Sequence, residues 1–515
     1  MVRRDGRRDF LQAIRMTNGS YTPGGARLLA SNIVYSTVSI VTGSVALFVG
    51  NWAVIHWYGS GFHGNLVWLI SVTQIALVAS DFGLANKAGV RTIARLRAEG
   101  SDRLNQAVSS VVYVPIFVAA VLAACMFMFG EILADARPGV DASLVRWAAS
   151  WIVLSGGIRA CRAVAIGCER SFNILLMVPL AEILKTTWIF VCAAANFPAE
   201  AVFYGWTGAW AVALAVSLVR LRTLLREFAM VISLTAIRTA DTVRVVLEAL
   251  PFHVQFVGLI GLPFILQLIL GSWYVAEEST TRLAISSFQV CFSLALIPRL
   301  LGMPISTSLL PRIVHLSATP EDGHDQIDAI LQQLTRLLGV AGTLVFALLC
   351  TWGPALLTFL YPAEYAGATV TLLILVAAVG IDNYSLQLDQ VLMATQYAKI
   401  VAFLEVLRYG TLILATWFLV PESGVTGAAV SVLIASGINV AGKVVVTCRT
   451  FSPLGLGPFA QTLFVGGLIT ATLLSGHAAL CMPVWAVGAL ILGLLRPREI
   501  WGWVLQAKTI VLTGA

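Results

Sequence analysis

"LMVPLAEILKTTWIFVCAA", residues 176–194, is apolar except for two charges in its middle, Glu182 and Lys185. A bilayer-crossing helix needs about 20 mostly apolar residues, and this run has that length. Ionised groups at such depth are expensive, so they are rare and face the interior of a helix bundle. Three residues apart on a helix, Glu182 and Lys185 share a face and can pair. Pairing makes the burial tolerable and leaves little net charge for a ligand.

The rest of the chain is of the same kind. It has 515 residues, 58% hydrophobic and 11% charged, with a mean hydropathy of +0.87. Soluble domains carry about 25% charged residues. A soluble protein of this composition could not cover its surface. The longest hydrophilic segments lie near residues 1–27, 87–106, 220–244 and 312–336, too short for a soluble domain. The net charge of +7 sits in short loops between apolar runs. There it sets orientation in a membrane, and no nucleic-acid partner is expected. The eight cysteines fall mostly inside apolar runs and never at CxxC spacing. They read as small buried hydrophobes, with no disulfide, metal or cofactor expected. The N-terminal "MVRRDGRRDFLQAIRMTN" is basic but lacks an apolar core and cleavage site, so it reads as a cytosolic arm on anionic lipid.

Hydropathy predicts about fourteen spans. They centre near residues 40, 74, 119, 155, 184, 210, 259, 292, 346, 377, 410, 434, 467 and 488. The seventh and eighth are interrupted by Glu248, His253, Glu277 and Glu278, and the last is short. With a cytosolic N-terminus, 27 of the 33 lysines and arginines fall on the cytosolic side, Lys443 among them. Only Arg137, Arg146 and Arg282 fall opposite, while Lys185, Arg299 and Arg408 lie near membrane depth. That asymmetry supports an even span count and both termini in the cytosol.

The opening stretch has an echo. "KIVAFLEVLRYGTLILATW", residues 399–417, carries Glu405-x-x-Arg408, 223 residues after Glu182-x-x-Lys185. At the same offset Pro198 meets Pro421. The segments are spans five and eleven, as two six-helix halves in the same orientation require. The expected fold class is an all-α polytopic membrane protein with two six-helix lobes related by a parallel repeat, plus two C-terminal helices. The expected divisions are a basic arm (1–26), an N-lobe (27–222), a cytosolic linker (223–244), a C-lobe (245–448), and spans 13–14 with a tail (449–515).

Four further stretches carry a resemblance. "SDFGLANKAGVRTIARLRAEG", residues 80–100, resembles the ending of the second helix in polysaccharide flippases, a family of the multidrug/oligosaccharidyl-lipid/polysaccharide exporter superfamily. Asp81, Gly83 and Leu84 match, then Arg91, Ile93 and Ala94. Residues 270–309 look like the junction of spans seven and eight, with the Pro-x-x-Ser ending diverged to Pro304-Ile305-Ser306. Residues 354–380 resemble the loop between spans nine and ten, and "VPESGVTGAAVSVLIAS" (420–436) matches the start of span twelve, with Gly424, Gly427, Ala428 and Ala429. The resemblance runs from about residue 25 to 450, in order. It implies movement of an undecaprenyl-diphosphate-linked oligosaccharide across a bacterial inner membrane by alternating access. The product would be O-antigen (lipopolysaccharide), capsule or exopolysaccharide, with a polysaccharide polymerase and chain-length proteins as partners.

Such transport needs cations where phosphates pass, and arginine suits them because its planar fork binds phosphate bidentately. The cavity candidates are Arg159, Arg162, Lys185, Arg299 and Arg408. Arg159 and Arg162 lie near the end of span 4, where snorkelling and cavity lining are both open. Glu182, Glu248, His253, Asp382, Asp389 and Glu405 are candidates for ion coupling. Asp382 and Asp389, seven apart, share one helical face and could equally make interhelical hydrogen bonds. Glu405 and Arg408 can pair with each other, as Glu182 and Lys185 can. His253 could be a structural histidine, and Asp81 could fix local packing. Enzyme motifs are lacking: there is no Gly-x-x-x-x-Gly-Lys-Ser/Thr loop, no GxSxG and no HExxH. The rival readings are a cation-coupled multidrug exporter, a peptidoglycan-precursor flippase and, from another class, a membrane glycosyltransferase or polymerase.

Overall fold

The computed structural model describes residues 24–85, 87–98, 103–137, 139–168, 170–233, 239–257, 261–273, 278–300, 302–303, 313, 323–394, 397–450 and 456–492. Most of the N-terminal arm, Pro304-Ile305-Ser306 and the tail beyond 492 lie outside them. Among the described residues every regular element is helical.

The first element, α1 (Gly24–Asp81), has 58 residues. A straight helix of that length would run about 87 Å, nearly three hydrocarbon cores. It breaks at Gly59, at φ +82°, a conformation glycine adopts without a Cβ penalty. The break divides it into spans one and two. A short helix, α2 (Lys87–Ala98), precedes α3 (Leu104–Met128) and the single-turn α4 (Gly130–Asp135). Then come α5 (Ala142–Gly167), α6 (Ser171–Ala194) and α7 (Ala201–Glu227), completing six spans.

The interrupted seventh span is two helices, α8 (Thr239–Phe256) and α9 (Leu262–Trp273). Glu248 and His253 lie within α8, Glu278 opens the next helix, and Glu277 lies outside the described residues. Spans eight to ten are α10 (Glu278–Ala295), α11 (Gly323–Leu360) and α12 (Thr369–Ala394), with a 3-10 turn (Ala363–Ala368) before α12. The last long element, α13 (Ala398–Thr450), holds spans eleven and twelve and breaks at Gly424, φ +53°. The chain closes with α14 (Leu456–Leu474) and the short α15 (Cys481–Ile491). About fourteen spans therefore stand.

One group of helices, α1, α3, α5, α6 and α7, packs on itself, as do α8 to α13; α14 and α15 lie against α11. Small residues let backbones approach, as in membrane bundles generally. A Cβ on Gly157 would come within 2.7 Å of Leu214, and one on Gly156 within 3.3 Å of Ala119. On α13 the outward face carries Phe403, Leu407, Leu414 and Phe418, all exposed, while Glu405, Arg408 and Leu412 are buried. Apolar side chains meet the lipid and the charges point in. Six of the eight cysteines are buried.

The 223-residue offset recurs in three dimensions. α7 begins at Ala201, and the second half of α13 begins at the Gly424 break, 223 residues later. His63 Nδ1 meets Ser286 Oγ at 2.7 Å, and these two residues are also 223 apart. Repeat-equivalent residues touch only where the axis relating the halves passes. The second half of α1 and α10 are thus the helices that meet between the two halves.

Candidate transport site

In the second lobe, spans ten to twelve bury a connected ionic core. Lys443 is wholly buried and bridges two acids, Asp389 at 2.8 Å and Glu405 at 2.6 Å. Arg408 pairs with Asp382 and donates to Ser436 Oγ at 3.1 Å, while its other nitrogen stands 3.6 Å from Glu405. Asn439 donates to Glu405 at 2.9 Å, and Gln255 from α8 donates to Asp389 at 2.9 Å. Charges alternate along this chain: Asp382, Arg408, Glu405, Lys443, Asp389. Three acids and two bases leave one negative charge over. Arg299, 7% exposed, supplies the sixth charge from the turn after α10, within electrostatic reach of Asp382, Glu405 and Asp389. Among the described residues its Nε and Nη2 have no hydrogen-bond partner.

The expected Glu405–Arg408 pair is therefore secondary. Each residue has a closer partner on another span, because side chains from α12 and both halves of α13 converge here. Lys443, placed by the sequence on the cytosolic side, is instead the centre of the network. A signal for it existed: Ser436, Asn439 and Lys443 recur at i, i+3 and i+7, a polar stripe on one helical face.

The first lobe is less saturated. Lys185 pairs with Glu182 at 2.7 Å and lies 4.7 Å from the ring centroids of both Trp206 and Trp210. This pair is self-contained, as the sequence predicts. Arg159 is different. From α5 it donates to Gln74 in the second half of α1 at 2.9 Å, and its guanidinium lies 5.6 Å from the ring centroid of Phe256 on α8. It thus stands between the lobes, half-buried, with Nη1 unpartnered. One turn on, Arg162 is also half-buried with Nε unpartnered. Asp81 is buried, accepts the backbone N–H of Ala85 at 2.6 Å, and keeps Oδ2 unpartnered.

The lobes touch at both ends of the seam. At the end carrying Arg91, Arg95 and Arg97, Phe82 stacks obliquely on His253 and Arg91 donates to the carbonyl of Met393 at 3.2 Å. Gly83, at φ +75°, lies so near α8 that a Cβ would meet the carbonyl of Ala249 at 2.8 Å. This accounts for the Asp-Phe-Gly-Leu motif: a left-handed glycine lets span two close on span seven. Glu248 and His253 belong to this closure. At the opposite end His63, Ser286 and Tyr365 form a hydrogen-bonded row of 2.7 and 2.5 Å. There a Cβ on Gly64 would fall 2.3 Å from the backbone oxygen of Arg282. Gly64→Ala is expected to part spans two and eight at this end only. Thiol labelling of a cysteine introduced at Ser287 should then rise severalfold, while one introduced at Ala249 should not change; equal labelling in both backgrounds would refute the close approach.

This arrangement can be set beside known proteins. The sequence matches no protein-family model and no curated protein. Solved structures do match. The lipid II flippase MurJ, in an inward closed conformation, aligns over 91% of this chain and 99% of its own, with TM-score 0.65 and 12% identity. An outward-facing multidrug resistance MATE family transporter of the MOP superfamily aligns over 84% and 99%, with TM-score 0.62 and 12% identity. A mutant of the Vibrio cholerae MATE transporter VcmN aligns over 83% and 98%, with TM-score 0.59 and 15% identity. The chain has the MOP exporter fold.

Within the exporter fold, Arg159, Arg162, Asp81, Gly83, Arg91, Glu248 and His253 gather along or at one end of the seam. Arg299, Arg408, Asp382, Asp389 and Glu405 gather inside the second lobe, and Lys185 with Glu182 inside the first. The sequence does not single out Gln74, Gln255, Phe256 or Lys443 for these places. Its resemblance to an exporter superfamily agrees with the fold.

Proposed function

We propose that this protein flips an undecaprenyl-diphosphate-linked oligosaccharide across the bacterial inner membrane for surface polysaccharide assembly. Both termini would face the cytosol. Arg159 carries the reading: an arginine between the lobes, touching both, with a guanidinium nitrogen to spare. A phosphate oxyanion is the complement of that group. An exporter of cationic drugs would place unpaired acids there instead, whereas among the described residues Arg159 and Arg162 line the seam beside Asp81, and Glu248 sits at its Arg91 end. The saccharide would cross between the lobes as the contacts at one end part and those at the other form, while the polyprenyl tail stays in lipid. The fold agrees with this path without choosing among substrates.

Deleting the gene in its own host is the test. Surface polymer should be lost, and the lipid-linked oligosaccharide should accumulate in the inner leaflet. Normal polymer with no accumulation would overturn the reading.

A further inference from the structure

At the end of the seam opposite Arg91, the loop after α4 folds against the second lobe. Backbone bonds fix it: Arg137 N–H to Ala134 at 2.9 Å and Val140 N–H to Arg137 at 3.2 Å. Gly139 turns it at φ +77°, and Asn65 from span two donates to the Gly139 carbonyl at 3.1 Å. A Cβ on Gly139 would stand 2.5 Å from Arg282 Nη2, so this loop and Arg282 are in contact. Arg137 itself is 3% exposed, and among the described residues its Nε and Nη2 have no hydrogen-bond partner. The loop's acids, Asp135 and Asp141, are exposed, and neither forms an ion pair with Arg137 among the described residues.

A buried cation is ordinarily paired, and leaving one alone is costly. Among the described residues the charge that acts on Arg137 is another cation, Arg282. Burial and then the Arg282 charge hold the Arg137 guanidinium below the ordinary arginine value. Two adjacent guanidinium groups make a fork suited to one oxyanion with several oxygens.

We propose that Arg137, with Arg282 and Asn65 beside it, forms a second phosphate- or diphosphate-binding site at the end of the seam away from Arg91. The site lies about one membrane thickness from the closure at Gly83, since spans two and eight connect the two ends. It would receive the headgroup after Arg159 releases it. The choice of diphosphate and the hand-over from Arg159 rest on the function proposed above; the anion site itself does not.

The test uses the full-length protein in nanodiscs, with inorganic pyrophosphate as probe. Pyrophosphate at about a hundredfold excess over Kd should raise Tm by roughly 3–6 °C. Arg137→Gln should abolish that Arg137-dependent rise, while the anion-free Tm stays equal or increases, because an unpaired buried cation has gone. Arg137→Lys should keep part of the rise. Arg159→Ala should leave the Arg137-dependent rise in place, so failure of the flippase reading would not remove this one. Competition by undecaprenyl diphosphate would assign the site to a lipid headgroup, and lack of competition to free phosphate. An undiminished rise in Arg137→Gln would overturn the proposal, as would a lowered anion-free Tm that Arg137→Lys restores.

Discussion

Replacing Lys443 with methionine is expected to cost about 3–5 kcal/mol of stability, the range for removing one partner from a buried ion pair. The change conserves much of the side-chain volume, so packing is not the main loss. What remains is Asp389 and Glu405, both almost wholly buried, with their shared cation gone. Gln255 and Asn439 still donate to them, but neither neutralises charge. The readout is the thermal unfolding midpoint in detergent. A triple variant, Lys443→Met with Asp389→Asn and Glu405→Gln, removes the stranded charges and should recover most of the loss. An unchanged midpoint in the single variant would show that the network is not ionised as drawn. Arg408→Ala falls under the same logic: it strands Asp382, so a transport defect there would report a damaged lobe.

Arg159→Ala should show the largest specific effect on transport. A hydrogen bond to a charged group contributes about 1.5–3 kcal/mol, so losing the contact should slow flipping roughly 10- to 100-fold. Stability should fall as well, because Gln74 and Phe256 lose a contact and the buried Asp81 loses a neighbouring cation, so the rates are compared in folded, inserted protein. The assay is reconstituted flipping of a fluorescent polyprenyl-diphosphate saccharide. Arg159→Lys should be intermediate, keeping the charge but losing the fork. A wild-type rate in Arg159→Ala, with the protein correctly inserted, would remove this residue from the path.

Much of this was legible from residues alone. Hydropathy and charge asymmetry are local properties, and they gave the spans. The face shared by Asp382 and Asp389 follows from helical periodicity, and the Glu182–Lys185 pair from spacing. The pairing of Arg408 was not legible, because spacing along one helix competes with partners on two others. The sequence brings Glu405 within three residues of Arg408 but says nothing of Asp382, 26 residues away, meeting it side on. Lys443 was misplaced for a related reason. A lysine near the end of an apolar run reads as a loop cation unless the polar stripe on its face is given weight. Gly83 was legible as a motif, yet its use, close contact with Ala249, depends on a helix more than 160 residues away.

The meeting of His63 and Ser286 bears on how such a chain arose. In a homodimer of identical halves, the position on the twofold axis faces its own copy and must be self-complementary. A histidine opposite a histidine there would place two identical imidazoles in one buried contact. Once two halves are fused in one gene, each copy can drift alone, and a donor can be set against an acceptor. An unlike donor–acceptor pair such as His63 and Ser286 is open to two halves joined in one chain, and closed to two identical subunits meeting at a twofold axis.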